Sequence, residues 1–237
     1  MKKAVVIGAT SGIGRALAIL MAERGWTVGV TGRRGERLAE LEREYPGSFV
    51  SSVFDVTSPD GVEKLAGLVA ALDGVDLLVY NSGTGDLNPD LDPVPELRTN
   101  AVNVEAFTGA MVFAYNYFAA LGGGHIAAVT SIMGLRGSGA APSYAASKAY
   151  QINYLEGLRQ RSAKEGKRIT VTDLRPGSVD TAMMKGEGHF WISSPERAAR
   201  VIMKAIDRRK AVQYVTPRWR IIGAMLKRLP RFLFNKL

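Results

Sequence analysis

Short apolar runs alternate with longer stretches of mixed polarity along the whole chain. A short apolar run between turn residues is typical of a strand buried on both faces. The stretches between these runs space their apolar residues as amphipathic helices do. The pattern predicts strands at residues 4–7, 27–31, 49–54, 75–80, 125–131, 168–174 and 211–215, and helices at residues 15–24, 35–45, from about 58, 99–121, 144–165 and 195–207.

This alternation predicts the α/β class, with a doubly wound parallel sheet of about seven strands and helices on both faces. Such sheets bind their ligands at the carboxyl ends of the strands. No repeat or linker interrupts the pattern. We therefore expect one domain over residues 1–216, followed by a basic amphipathic extension at residues 217–237.

The composition excludes several kinds of site. With 46% hydrophobic and 22% charged residues, the chain has the balance of an ordinary globular protein. It contains no cysteine, which excludes disulfides, thiolate zinc sites and a cysteine nucleophile and fits a reducing cytoplasm. With only two histidines in addition, no metal site is expected.

Two apolar segments resemble export or membrane signals, and neither fits. The five apolar residues behind Met1-Lys2-Lys3 are too short for a signal peptide. Residues 106–124 are uncharged and nearly long enough to span a bilayer, but they contain Thr108 and Asn116 and end in glycines. We expect a core or interface helix there, and a cytoplasmic protein.

Three glycines, Gly8, Gly12 and Gly14, follow the first predicted strand and open the first predicted helix. Such a turn aims backbone N–H groups and the positive end of a helix dipole at one point, which suits the diphosphate of a dinucleotide. The alternative is an ordinary glycine-rich turn between a strand and a helix.

The end of the second predicted strand carries Arg33 and Arg34 and no carboxylate. In a dinucleotide fold this position lies beside the adenosine ribose, where an acidic residue would select a free 2′-hydroxyl. Arginine binds a phosphate through parallel hydrogen bonds. NADP(H) is therefore predicted over NAD(H); the alternative is a solvated start to the next helix.

The ends of the next two strands carry further polar residues. Asp55, followed by Val56, is placed to accept from an adenine amino group or to cap a helix that begins near Ser58. Asn81-Ser82-Gly83 forms a turn that lies along a cofactor or serves only as a turn. Residues 84–98 have no periodicity and are expected to form a surface loop near the mouth of the site.

Tyr144 and Lys148 are four residues apart and therefore project from one face of a predicted helix. A neighbouring ammonium favours the phenolate and draws the tyrosine pKa from about 10 toward neutrality. Ser131 ends the preceding predicted strand, where its hydroxyl can hydrogen-bond the same substrate oxygen as the Tyr144 phenol. Asn103 is a poor residue for a helix interior, so it indicates a kink or an ordered water.

Together these motifs resemble the short-chain dehydrogenase/reductase family, from Lys2 to about Val215. The family's cofactor turn matches residues 8–14, with Ile7 in place of its leading threonine. Its Asn-Asn-Ala-Gly element matches residues 80–83, with Tyr80 and Ser82 as substitutions. The remaining matches are its helix asparagine, its serine, its Tyr-x-x-x-Lys and its Pro-Gly-x-x-x-Thr segment, which correspond to Asn103, Ser131, Tyr144, Lys148, Pro176, Gly177 and Thr181.

The resemblance implies a Rossmann-type oxidoreductase that interconverts a carbonyl and an alcohol by hydride transfer. It implies that Tyr144 is the general acid or base, Lys148 lowers its pKa and holds the nicotinamide ribose, Ser131 polarises the substrate oxygen, and Asn103 positions a water that leads to Lys148. The predicted cofactor-binding residues are Gly8, Thr10, Ser11, Gly12, Ile13, Gly14, Arg33, Arg34, Asp55, Val56, Asn81, Ser82, Gly83, Tyr144, Lys148, Pro176, Gly177, Val179 and Thr181.

Family members are often dimers or tetramers joined through two long helices, here residues 99–121 and 144–165. Two alternatives are weighed against an active reductase. A catalytically silent nucleotide-binding or scaffold protein of the same fold would be expected to lack the tyrosine or the lysine. A sugar-nucleotide epimerase would need a larger C-terminal substrate domain and a different glycine turn.

In members of the family, the segment that corresponds to the residues after Thr181 closes over the substrate. Here Met183, Met184, Phe190 and Trp191 are predicted to line an apolar pocket, with Gly186 and Gly188 as hinges, or else to pack as core. Lys185, His189 and Arg136 are candidates to meet an anionic group of the substrate.

The extension combines helical periodicity with positive charge. The net charge of the whole chain is +9, whereas residues 196–237 alone sum to +10, from twelve basic and two acidic residues. One predicted face holds Trp219, Ile222, Met225, Leu226 and Leu229, and the other holds Arg220, Lys227, Arg228 and Arg231. This pattern fits an anionic membrane surface, and a hydrophobic substrate with it, or docking on the protein itself or on a second subunit. No basic-aromatic interleaving indicates nucleic acid.

Overall fold

The computed structural model describes residues 2–182, 191–216 and 218–234. Seven parallel strands form one sheet in the order β3-β2-β1-β4-β5-β6-β7. Their bounds are β1 Lys3–Ile7, β2 Thr27–Gly32, β3 Phe49–Val53, β4 Leu77–Tyr80, β5 Gly123–Val129, β6 Arg168–Arg175 and β7 Val212–Tyr214. The strand order reverses between β1 and β4, where doubly wound sheets open a crevice for a ligand. The predicted fold class is confirmed.

Helices cover both faces of the sheet. Their bounds are α1 Gly12–Glu23, α2 Gly35–Glu44, α3 Gly61–Ala71, α4 Pro93–Asn100, α5 Phe107–Ala120, α6 Pro142–Lys164, α7 Pro195–Asp207, α8 Arg218–Arg228 and α9 Arg231–Phe234. One apolar core packs α1, α2 and α7 against the sheet, and the other packs α3, α5 and α6. Within the described ranges, no helix is both long and apolar enough to cross a bilayer.

The region from residue 84 to residue 121 differs from its prediction. Its expected loop contains α4, which begins because Pro93 fits the first helical turn and the Asp92 carboxylate accepts from the Val94 N–H at 2.9 Å. The single helix expected from residue 99 is divided by a π-helical segment at Ala101–Ala106. This irregularity contains Asn103, the residue at which the sequence indicates a kink or an ordered water.

The extension packs on the body of the protein, against a 3₁₀ turn at Ile132–Leu135. Trp219 is buried over Gly177, where a Cβ would lie 2.2 Å from the indole. The Arg136 guanidinium donates to the carbonyls of Leu226 and Leu229 at 3.2 and 3.0 Å, so it ties the extension to the body of the protein. Met225, predicted on the packed face, is exposed.

Candidate active site

The turn between β1 and α1 is built by close backbone approach. Gly8 has a φ of +88°, and a Cβ there would lie 2.7 Å from the Ser82 hydroxyl. A Cβ on Gly14 would lie 2.1 Å from the Gly8 carbonyl, which also accepts from the Asn81 amide at 2.8 Å. Only glycine fits these two positions. The turn therefore holds the start of α1 tightly against β1 and β4.

The N-terminus of α1 has the character of an anion site. Ser11 precedes the helix in an extended conformation, and its side chain does not cap the first N–H groups. The methyl group of Thr181 lies over Gly12, where a Cβ would be 2.9 Å away. Ile13, the second residue of the helix, is buried. This glycine cradle thus fits the diphosphate of a dinucleotide.

The two arginines after β2 differ in their surroundings. Arg34 donates to the Thr10 hydroxyl at 2.6 Å and to the Ser11 hydroxyl at 2.7 Å, so its guanidinium lies over the glycine turn. The Arg33 side chain is 77% exposed and lies 3.6 Å from the Asp55 carboxylate. Of the two arginines, Arg34 is therefore the one held against the glycine turn.

Asp55 follows β3 and organises the turn behind it. Its carboxylate accepts from the backbone N–H and the hydroxyl of Thr57, at 2.9 and 2.8 Å. Burial raises the pKa of Asp55, but these hydrogen bonds and Arg33 outweigh it, and the pKa is lowered overall. The expected helix near Ser58 begins instead at Gly61, so Asp55 does not cap it. Val56 is half-buried beside this turn.

The three central residues meet at the carboxyl end of β5. That strand ends at Val129, earlier than predicted, and Ser131 caps the 3₁₀ turn by accepting from the Met133 N–H at 3.1 Å. The Lys148 ammonium lies 5.9 Å from the centroid of the Tyr144 ring. Gly85 makes room for that ring, because a Cβ there would lie 2.3 Å from it. The loop from residue 84 therefore borders the site, as predicted.

Burial dominates the protonation of this group. It raises the pKa of Tyr144, while the Ser131 hydroxyl acts in the opposite direction. It lowers the pKa of Lys148 from 10.5 to about 7, although the Asp173 carboxylate partly opposes this. The direction for Tyr144 is opposite to the one expected from a neighbouring ammonium, because the desolvation of a phenolate is the larger effect.

Lys148 and Asn103 are connected through a residue that the sequence analysis missed. The Lys148 ammonium donates to the Val129 carbonyl at 3.1 Å and to the side-chain oxygen of Gln151 at 2.9 Å. The Gln151 amide donates to the main-chain carbonyl of Asn103 at 2.9 Å. The available signal was a glutamine three residues after Lys148, on the same helix face.

The Asn103 side chain fastens the loop after β4 to α6. Its oxygen accepts from the Thr84 N–H at 3.0 Å. Its nitrogen donates to the Thr84 carbonyl at 2.7 Å and to the Ser147 hydroxyl at 3.0 Å. The side chain thus links two segments that border Tyr144, and only the backbone of Asn103 leads to Lys148.

The segment after β6 closes the opposite side of the site. The Pro176 carbonyl accepts from the Ile132 N–H at 3.0 Å, and the Gly177 N–H donates to the Thr216 hydroxyl at 3.2 Å. Val179 is buried. Gly83 lies half-buried after β4. The predicted lid residues Met183, Met184, Lys185, Gly186, Gly188, His189 and Phe190 lie outside the described residues, whereas Trp191 is described and exposed.

Replacing Lys148 with methionine tests its burial in the free protein. The pKa of Lys148 is about 7 in the folded protein and 10.5 in the unfolded chain, so folding below pH 7 has to bury a charge. The free energy of unfolding of the parent therefore rises with pH between those two values. Each unit between the folded and unfolded pKa values of Lys148 corresponds to about 1.4 kcal/mol of unfolding free energy. Loss of the hydrogen bonds from Lys148 to the Val129 carbonyl and the Gln151 oxygen offsets part of this.

We expect Lys148→Met to unfold at about 2 kcal/mol higher free energy than the parent at pH 6, in urea titrations. The difference should shrink toward pH 10, where the parent lysine is neutral in the folded state. A difference that stays constant across this range would contradict the assigned burial cost.

Comparison with known proteins identifies the family. Residues 2–190 match the family model described as short chain dehydrogenase. The chain belongs to the short-chain dehydrogenase/reductase family. It is 33% identical over 189 residues to an uncharacterized oxidoreductase of Myxococcus xanthus, covering 77% of this chain and 74% of that one. It is 31% identical to a serine 3-dehydrogenase of Rhizobium radiobacter, covering 75% and 72% of the two chains.

Solved structures share the fold across almost the entire chain. A family member from Burkholderia phymatum, solved in complex with NAD, superposes with a TM-score of 0.84 at 19% identity, covering 94% of this chain and 92% of that one. LigD in its apo form, from Sphingobium, superposes with a TM-score of 0.81 at 24% identity, covering 97% of each chain. These likenesses support the fold and leave the substrate open.

Proposed function

We propose that the protein is an NADP(H)-dependent oxidoreductase that interconverts a carbonyl and an alcohol, with Tyr144 as the general acid and base. The observation that carries this proposal is the placement of the Tyr144 ring beside the Ser131 hydroxyl and the Lys148 ammonium, at the same edge of the sheet as the glycine cradle. A bound nicotinamide would supply the hydride. The protein supplies geometry, proton transfer and the exclusion of water.

Each side chain of the trio has a distinct part in carbonyl reduction. The Tyr144 phenol gives its proton to the carbonyl oxygen of the substrate, and its raised pKa keeps that proton in place at neutral pH. The Ser131 hydroxyl donates a hydrogen bond to the same oxygen. Lys148 stabilises the phenolate that remains, because its ammonium lies beside the ring.

The residues around the cradle would hold the cofactor. Its diphosphate would lie at the N-terminus of α1, and Lys148 would contact the nicotinamide ribose. Arg34 supports the choice of NADP(H), because its guanidinium is already fixed over Thr10 and Ser11. The acidic residue that would select a free 2′-hydroxyl is not found at this position. The Burkholderia phymatum relative was solved with NAD, and its name does not decide the preference of this chain.

Absorbance assays with NADPH test the proposed reaction directly. We expect consumption of NADPH with at least one member of a series of ketones and aldehydes of increasing chain length. NADH should support a smaller kcat/KM with the same substrate. Tight NADPH binding without turnover of any carbonyl or alcohol would favour the alternative, a silent cofactor-binding protein.

We also propose a homo-oligomer in the cytoplasm, joined through α5 and α6. A largely apolar groove between α3 and α5 supports a protein contact there; it is lined by Val62, Gly109, Val112, Phe113, Asn116 and Tyr117. Val112 is exposed despite its apolar side chain. A second copy of the chain would cover this face, since members of the family commonly associate through the two helices that correspond to α5 and α6.

The exposed side of the extension supports a further proposal, that it binds an anionic membrane surface. Ile221 and Met225 lie one helical turn apart on α8 and are 67% and 66% exposed, and Phe232 on α9 is 67% exposed. Arg220 and Arg228 are exposed on the same helix. Apolar side chains flanked by arginines are typical of helices that lie in a lipid headgroup region.

Vesicle sedimentation tests this surface. We expect the full chain to bind vesicles that contain phosphatidylglycerol. Ile221→Ser with Met225→Ser should weaken this binding by about 10-fold or more, because two apolar side chains that the lipid would bury are lost. The matched control is Val94→Ser with Leu97→Ser, which changes two equally exposed apolar residues on α4. Equal sedimentation of all three proteins would contradict the proposal.

A further inference from the structure

Gln151 is fully buried between α6 and the π-helical segment, and both ends of its amide are used. Its oxygen accepts from the Lys148 ammonium at 2.9 Å. Its nitrogen donates to the main-chain carbonyl of Asn103, also at 2.9 Å. An ammonium can only donate and a carbonyl can only accept, so the two partners fix the orientation of the amide.

The irregular helix makes the Asn103 carbonyl accessible. In a regular α-helix this carbonyl would accept from the N–H of Phe107, four residues later. Here the Phe107 N–H donates to the Val104 carbonyl instead. Single π-helical turns are frequent at functional sites. The segment therefore presents a backbone acceptor toward α6, where Gln151 reaches it.

We propose that Gln151 is a positioning residue that bridges the Lys148 ammonium to the Asn103 carbonyl, in the place where the family resemblance puts a water. This inference rests on the proposed function of Tyr144 and Lys148. The bridge is part of the chain and is oriented before any ligand binds. A water at this point could pass a proton to Lys148, whereas the amide oxygen has none to give.

The bridge determines where the ammonium points. The Val129 carbonyl and the Gln151 oxygen take two of its three protons. The remaining side of the ammonium serves the face that carries Tyr144, 5.9 Å away at the ring centroid. Gln151 thus keeps the Lys148 ammonium directed toward the Tyr144 phenol without contacting the substrate itself.

The bridge also sets the charge of Lys148. An amide oxygen that only accepts favours the ammonium over the neutral amine. Among the residues that the structure describes, the other charged or titratable groups that face Lys148 are Asp173 on β6, which favours the ammonium as well, and Tyr144 on α6. Loss of the amide acceptor should therefore lower the pKa of Lys148, and a carboxylate in its place should raise it.

Titration of Lys148 in three variants tests the bridge without requiring turnover. The measurement is the ¹³Cε shift of Lys148 in the full chain labelled with [¹³C]lysine, assigned with Lys148→Arg. We expect Gln151→Leu to lower the midpoint by about one pH unit and Gln151→Glu to raise it by about as much. Leu155→Val, a buried change one turn later on α6, should leave the midpoint unchanged.

Turnover then separates bridging from packing. If Gln151 only filled space, Gln151→Leu would retain more activity than Gln151→Ala. We expect the reverse, with kcat at least about 10-fold lower in Gln151→Leu than in Gln151→Ala. The smaller alanine side chain admits a water that can bridge the Lys148 ammonium and the Asn103 carbonyl. Gln151→Asn, too short to reach both partners, should titrate like Gln151→Leu and serves if leucine does not fold.

The two levels of the proposal fail separately. An unchanged Lys148 midpoint in folded Gln151→Glu and Gln151→Asn would overturn the bridge, whether or not the parent is an active reductase. Altered midpoints in a parent that turns over no carbonyl or alcohol would retain the bridge and overturn the proposed function.

Discussion

Tyr144→Phe should reduce turnover by about 10²–10⁴-fold, the usual contribution of a general acid, while NADPH binds with nearly unchanged affinity. The phenylalanine ring fills the same space against Gly85, so the site keeps its shape and loses only the proton donor. Single-turnover assays with excess enzyme measure the chemical step, and fluorescence titration measures cofactor binding.

Tyr150→Phe is the matched control for this change. It lies on the same helix, and its hydroxyl shares a hydrogen bond with Thr108 at 2.7 Å, away from the trio. We expect its turnover to stay within about 3-fold of the parent, because its hydroxyl bonds to Thr108 and not to the trio. Parent-like turnover in Tyr144→Phe would refute its assignment as the acid, and a loss in both variants would indicate a general effect of the helix.

Arg34→Ala should raise the Kd for NADPH by about 10–100-fold, as expected for the loss of charge-assisted hydrogen bonds to a phosphate. The Kd for NADH should change little, because that cofactor has no phosphate on its adenosine ribose. Additional replacement of Arg33, whose side chain is mostly exposed, should extend the effect on NADPH. Isothermal titration with both cofactors measures the two constants.

Arg37→Ala controls for the general loss of positive charge. Arg37 lies on the first turns of α2 and pairs with Glu40 at 3.3 Å, so its guanidinium is engaged elsewhere. We expect both cofactors to bind this variant as they bind the parent. If Arg34→Ala weakened NADPH and NADH equally, the guanidinium would be supporting the glycine turn rather than recognising a phosphate.

Some of the site could be predicted because its chemistry is local in sequence. The glycines of the first turn and the Tyr144–Lys148 pair each need only a short stretch of chain, where spacing alone fixes which side chains share a face. The structure brings Tyr144, Lys148 and Ser131 together as expected. Arg34 lies over the turn because β2 is parallel to β1, which the alternation of elements already implied.

Other features depend on contacts between distant segments. The sequence makes Arg136 a candidate for an anionic substrate group and does not indicate that it binds the carbonyls at the end of α8, more than 80 residues later. The direction of the Tyr144 pKa depends on how deeply the ring is buried, which no local pattern states. The loop expected at residues 84–98 contains a helix, because a capping aspartate and a proline outweigh the absence of periodicity.

The sequence by itself determined the fold class, the family and the candidate residues of the site, because burial patterns and short motifs depend on neighbours along the chain. Only the tertiary structure decided how those residues are held. The bridge from Lys148 through Gln151 to the Asn103 carbonyl joins residues 48 positions apart across a π-helical turn. Backbone carbonyls carry no signature in a sequence, so only their positions in the fold show which side chain they bind.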